Sequence, residues 1–289
     1  MKLNKAIDLH THTIHSDGTV APNVLINLAV HQSITALALT DHDTVDGIPE
    51  FQDQAKKAGI EAIAGVELSA QFSPGTLHIL GYGFDINGSI RSKLLEFQKI
   101  RAERNPKIIE KLKKLGISIT LDEVRFLSGA QGQIGRPHFA TALVKKKYVD
   151  SYLDAFQKYL KKGAPAYVSK TLFTADECIQ MIHESGGIAI IAHPIQMKLQ
   201  GKVLHQQIQK LIQEGLDGIE IIHPDQDQNF QEILKKFAEQ NNLVITGGSD
   251  FHGEHKPNIQ LGQGRSPYEL LEKIYNCIRN RRAEFGISS

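Results

Sequence analysis

Between Asp8 and Gly18 the chain reads DLHTHTIHSDG, which sets His10, His12 and His15 close together with Asp8 and Asp17 on either side. Imidazoles and carboxylates without a thiolate suit a divalent cation in a catalytic role better than a closed structural zinc site. If 6–12 is a strand, its period of two puts Asp8, His10 and His12 on one face, with alternate residues about 7 Å apart. Two imidazoles so placed can lean onto one ion. Taken alone, this HxH leaves two readings open: metal ligation, and core histidines satisfied by hydrogen bonds.

The same residue types recur at or near the ends of later apolar runs. LALTDHD carries His42, IAGVELS carries Glu67, TLHILGYG carries His78, AIIAHP ends at His193, and VITGGSDFHG delivers Asp250 and His252. In parallel α/β folds the C-terminal strand ends form the functional face, so side chains distant in sequence meet there. The elements needed to position them are legible. The runs KAIDLH, ITALALT, IEAIAGVEL, LHILGYG, GGIAIIAH, GLDGIEIIH and NLVITGGSD alternate with helix-like text, predicting repeated βα units around a parallel sheet or barrel. Pro22 suits a first helical turn, and Thr174 with Glu177 forms a capping box ahead of Gly186 and Gly187. From Ile90 to Lys162 the pattern turns helical, broken by SGAQGQIGRPH. The expected division is a metal-binding barrel over 1–97 and 165–289, with a helical insertion over 98–164.

Composition narrows the class. A chain of 289 residues, 41% hydrophobic, can bury a large core. The N-terminal MKLNKA lacks the apolar run of a signal peptide, and no stretch reaches the roughly 18 apolar residues of a membrane span, so a cytoplasmic protein without a membrane partner is expected. Cys178 and Cys277 have no CxxC spacing and read as buried thiols in a reducing compartment. The formal charge of +1 hides an asymmetry: Arg91 to Pro165 holds 17 basic against 7 acidic residues, +10, and the remainder holds 16 against 25, −9. That basic island is either a solvated helical surface or a place for an anion.

The motifs DLHTHTIHSDG, TDHDTVDG, GVELS, AHP and SDFHG, in this order, resemble those of the PHP (polymerase and histidinol phosphatase) family. The resemblance covers nearly the whole chain, the insertion included. Within the family the chain is similar to stand-alone enzymes acting on nucleoside 3′,5′-bisphosphates and on the 5′ ends of short RNA. It implies a distorted seven-stranded β/α barrel, amidohydrolase-like, with three divalent metal ions, manganese first and iron or zinc as alternatives. By position, one ion takes His10, His12, Glu67 and Asp250; a second shares Glu67 and adds His78 and His193; a third takes Asp17, His42 and His252. Three such ions and three carboxylates leave a positive site that attracts phosphate, and a hydroxide bridging the ions is the expected nucleophile.

Substrate choice then falls to the surrounding groups. Arg101 and Arg104 share a helix face, and GRPH offers Arg136 and His138. Arginine binds phosphate bidentately, so these are candidates for a second phosphate, the alternative being surface salt bridges. Asp8 and Asp41 are expected either to orient histidines or to serve as ordinary strand-end caps, His15 to be exposed, and His223 to line the pocket or pack. Tyr82 and Phe72 read as core residues or as stacking partners for a base. The leading reading is a phosphoesterase that removes the 3′-phosphate of nucleoside 3′,5′-bisphosphates and trims short 5′-phosphorylated RNA, with no DNA-specific recognition. The alternatives are a histidinol-phosphate phosphatase and a non-catalytic metal or nucleic-acid binding module. Oligomeric state is not written in the motifs.

Overall fold

Short aliphatic runs pair side by side in the computed structural model, which describes residues 6–129, 134–169 and 172–287, the side chain of Arg101 excepted. The strands are β1 (Ala6–Asp8), β2 (Ile34–Leu39), β3 (Glu61–Ala70), β4 (Leu77–Tyr82), β5 (Ile188–Ile191), β6 (Gly218–Ile222), β7 (Val244–Gly247) and β8 (Ser266–Pro267). They form one sheet in the order β7-β6-β5-β4-β3-β2-β1-β8. The α/β barrel kind is the one expected, with two differences. An eighth strand is present: β8 is a two-residue Ser-Pro segment paired antiparallel with β1, too short and too polar to register as an apolar run. The sheet is also not parallel throughout, since β4 runs antiparallel to both β3 and β5. Only Gln71 to Thr76 separate β3 from β4, whereas a parallel crossover needs about a dozen residues or more.

β1 is shorter than expected and ends at Asp8. Beyond it the chain stays close to the segment after β7: Leu9 N–H donates to Gly247 O at 3.1 Å, Asp250 N–H to His10 O at 2.9 Å, and His12 N–H to Phe251 O at 3.0 Å. These bonds close the barrel at one end and bring His10, His12, Asp250 and His252 side by side. Gly248 lies in the closure, where an added Cβ would run into the Cβ and backbone nitrogen of His10. Gly248→Ala is expected to destabilise the protein by about 1–3 kcal/mol through overpacking, read as a lowered Tm. An unchanged Tm would show that the closure yields easily.

The period of two divides the apolar side chains as the strands require. Ala36 and Ala38 of β2 share a buried cluster with Ile7, Leu80, Tyr82 and Ile190, packed against Leu271, Ile274 and Ile278 of the C-terminal helix. Leu37 and Leu39 face the other cluster, which collects the apolar stripes of the surrounding helices. Those helices are α1 (Pro22–His31), α2 (Ile48–Ala58), α3 (Ser89–Ala102), α4 (Arg104–Lys114), α5 (Leu121–Ser128), α6 (Arg136–Lys145), α7 (Tyr152–Ala155), α8 (Ala175–Glu184), α9 (Gly201–Gln213), α10 (Gln228–Gln240) and α11 (Leu270–Glu284). Tyr82 is fully buried and its hydroxyl donates to Leu9 O at 2.7 Å, which makes it a core residue.

Helices α4 to α7 form a cluster of their own around Ile108, Leu112, Val124, Phe139 and Leu143, separate from the barrel's. Local sequence sets their ends: Thr120 and Glu123 make a reciprocal capping box on α5, and Gly129 ends it in the left-handed region. α3 differs, because its Ile90 and Leu94 pack into the barrel cluster. Among the described residues no helix is long and apolar enough to cross a membrane.

Candidate metal centre

Glu67, buried in β3, is the hub of the site. Its Oε1 lies 2.7 Å from His78 Nδ1 and 2.9 Å from His193 Nε2; its Oε2 lies 3.1 Å from His10 Nε2 and 3.2 Å from both His12 Nε2 and His42 Nδ1. Asp250 Oδ1 approaches His10 at 3.5 Å, His12 at 3.3 Å and His252 at 3.4 Å. Asp17 lies 3.2 Å from His252 and 3.9 Å from His12 and His42. All nine residues singled out in the sequence are therefore brought together. The topology explains it: His42 and His193 follow β2 and β5, Asp250 and His252 follow β7, and antiparallel β4 presents His78 from its beginning.

Among the described residues, three donor groups have ligand atoms all within 4.8 Å of one another: His12, Asp17, His42 and His252; His10, His12, Glu67 and Asp250; and His42, Glu67 and His78. His12, His42 and Glu67 each belong to two groups, and His193 meets His78 at Glu67 Oε1. Two of these residues hold strained backbones, His193 at φ 25° and Asp250 at φ 55°, each costing about 1–3 kcal/mol. The surroundings enforce the geometry, since His193 N–H donates to Glu220 Oε2 at 2.7 Å and Asp250 N–H to His10 O.

Charge is balanced tightly here. Burial opposes ionisation of Glu67, Asp17 and Asp250, yet the adjacent imidazoles hold all three well below the ordinary carboxylate range. Burial disfavours the His12 imidazolium, but the pull of Asp250 and Glu67 outweighs it and raises the ring to about 9. Burial wins at His42, lowering it to about 4 despite Glu67 and Asp17. His12 Nε2 and His42 Nδ1 are buried without a hydrogen-bond partner although a carboxylate oxygen is 3.2 Å away. Nitrogens aimed at carboxylates without hydrogen-bond geometry fit ligands that share a cation, and six imidazoles with three carboxylates suit Mn²⁺, Fe²⁺ or Zn²⁺.

Glu220, in β6, is a residue of the centre that sequence reasoning missed. It is fully buried, and its Oε1 accepts from His10 Nδ1 at 2.9 Å while its Oε2 takes the His193 N–H. The available signal was a carboxylate inside the apolar run GIEII. Asp8 and Asp41 hold loops instead of histidine rings. Asp8 accepts from the backbone of His10, Ser249 and Gly262, and Asp41 from Thr13 N, Thr13 Oγ1 and Ser16 Oγ. His223 is buried beside the cluster, its Nδ1 accepting from Asp225 N at 3.1 Å and its Nε2 lying 3.6 Å from Asp250 Oδ2. His15 is half-buried.

The helices α4 to α7 meet the centre through α6. Thr141 Oγ1 lies 3.0 Å from His255 Nε2, and His255 Nδ1 donates to Asp17 O at 2.7 Å. Arg136 and His138 belong to the first turn of α6, and residues 130–133 of the glycine-rich stretch lie outside those described. Arg136 donates to Leu160 O at 3.1 Å and packs against the rings of Phe156 and Tyr167. Arg104 Nε donates to Val168 O at 3.1 Å. His138 is buried, accepts from Gly135 N–H, and is lowered by burial to about 4. The side chain of Arg101 lies outside the described residues.

A model of the PHP domain family matches residues 8–241. The chain is 38% identical over 251 residues to the 5′-3′ exoribonuclease of Haemophilus influenzae, covering 86% of this chain and 91% of that protein. It is 32% identical over 276 residues to the 3′,5′-nucleoside bisphosphate phosphatase of Chromobacterium violaceum, covering 95% and 97%. A structure from Bifidobacterium adolescentis described as a candidate metal-dependent phosphoesterase superposes with a TM-score of 0.85 at 29% identity, covering 95% of this chain and 96% of the other. With the cluster at its centre and a family match over most of its length, this chain belongs to the PHP domain family and is one of its metal-dependent phosphoesterases.

Proposed function

We propose that the enzyme removes the 3′-phosphate of nucleoside 3′,5′-bisphosphates, such as adenosine 3′,5′-bisphosphate, and trims short 5′-phosphorylated RNA from its 5′ end. The observation that carries this reading is the seating of the basic insertion on the Asp17 loop, through Thr141 and His255. That contact sets a second, arginine-bearing element beside the cluster, where a substrate with two phosphates has one for each. Both activities need an anchored 5′-phosphate and attack at the neighbouring 3′-linked phosphorus. The likeness to relatives named for each activity, over nearly the whole chain, supports the pairing.

Three ions held by the nine residues, manganese first with iron or zinc compatible, supply Lewis-acid charge and a nucleophile at neutral pH when bound. The protein's own groups prepare that site. Glu67 gathers five imidazoles, and Asp250 and Asp17 flank the sixth, that of His252. His10 gives its Nδ1 proton to Glu220, so its Nε2 lone pair faces the cluster. Arg136 and Arg104 hold the 5′-phosphate, their guanidinium groups positioned by bonds to Leu160 O and Val168 O.

Phosphate release from adenosine 3′,5′-bisphosphate by the manganese-loaded enzyme tests the reading. Orthophosphate and adenosine 5′-monophosphate are the expected products. Arg136→Ala should raise KM about tenfold or more, as loss of a charge-assisted bond implies, with kcat little altered. Hydrolysis of histidinol phosphate without any release from the bisphosphate would overturn the substrate and leave the metal centre standing.

A further inference from the structure

Asp250 turns its two oxygens to different neighbours. Oδ1 lies among the rings of His10, His12 and His252, while Oδ2 faces His223 at 3.6 Å and is paired with the ammonium of Lys256. Lys256 follows the short turn Gly253–His255, and that turn is anchored twice: Glu254 N–H donates to Thr19 Oγ1 at 2.9 Å, and His255 to Asp17 O. The side chain of Lys256 is 37% exposed against 4% for Asp250, so the ammonium stands at the mouth of the centre. A partly exposed cation thus pairs with one of the three carboxylates of the cluster.

Cations entering the centre claim the charge of those same carboxylates. The ammonium then loses its counter-ion while remaining on a flexible four-carbon stem at the opening, where the next anion to arrive is a phosphoryl group. We infer that Lys256 is a substrate-binding residue whose ammonium moves from Asp250 to a non-bridging oxygen of the phosphate being hydrolysed. The two phosphates of a bisphosphate are then held by different elements, the scissile one by the turn after β7 and the other by the arginines of the insertion. This role rests on the phosphoesterase reading above.

The test is calorimetric titration of inorganic phosphate into manganese-loaded wild type, Lys256→Met and Lys256→Arg, with the metal content of each measured by elemental analysis. Lys256→Met should bind phosphate about tenfold or more weakly, because a charge-assisted bond is lost, and Lys256→Arg should recover most of that affinity. Metal content should be equal in all three, since the ammonium competes for Asp250 and is no ligand. Phosphate affinity within about twofold of wild type for Lys256→Met, with wild type binding normally, would overturn the role of Lys256 alone. A drop in metal content in Lys256→Met, restored by arginine, would also overturn it and make Lys256 a positioning residue for Asp250. Loaded wild type that takes up no phosphate would overturn the phosphoesterase reading, and this inference with it.

Discussion

Glu67→Gln is expected to lower kcat for phosphoester hydrolysis on the order of a thousandfold or more, since the Lewis-acid charge it helps hold is worth several kcal/mol and about 1.36 kcal/mol is tenfold in rate. The reason is its position as hub: five imidazoles lie within 3.2 Å of its two oxygens. Glutamine keeps the volume but removes the charge and turns one acceptor into a donor facing imidazole nitrogens. Two of the three donor groups contain Glu67, and the group of His12, Asp17, His42 and His252 does not. Elemental analysis should therefore find metal retained at the Asp17 group and lost from the other two. A fully loaded Glu67→Gln protein with near-normal kcat would remove Glu67 from the ligand set.

Glu220→Ala is expected to weaken metal binding about 10- to 100-fold, the range found when the outer partner of a ligating histidine is removed. Two contacts disappear at once: the acceptor that fixes the tautomer of His10, and the acceptor for the backbone N–H of His193, whose φ of 25° needs outside support. Competition against a chelator reads the affinity directly. Asp227→Ala serves as a control, because Asp227 only caps α10 and should leave metal affinity unchanged while costing about 1 kcal/mol of stability. Equal metal affinity in Glu220→Ala and wild type would reduce Glu220 to a packing role.

The contrast between Glu67 and Glu220 shows what a sequence exposes. Glu67 and most of the other residues of the cluster stand near the edges of apolar runs, where a βα pattern implies convergence. Glu220 lies inside β6, and only the path of the barrel wall carries it to His10, 210 positions away. The helical character of the stretch between β4 and β5 was legible from its change of period, whereas the antiparallel course of β4 follows from a connection too short for a helix. β8 was illegible because a two-residue pairing has no periodicity. Asp8 illustrates the limit of strand alternation: β1 ends at that residue, and its carboxylate takes backbone N–H groups from His10, Ser249 and Gly262. Charge counting found the basic island but could not say which guanidinium donors are spent, as Arg136 spends one on Leu160 and Arg104 one on Val168.

Stripping the enzyme with a chelator and titrating Mn²⁺ back tests the central claim most directly, with bound metal and hydrolysis of adenosine 3′,5′-bisphosphate followed in the same samples. The account predicts no hydrolysis in the stripped protein and a return of activity that follows metal uptake until each of the three donor groups is filled. Stripped protein that hydrolyses the bisphosphate as fast as the reloaded enzyme, with its metal shown to be gone, would contradict it.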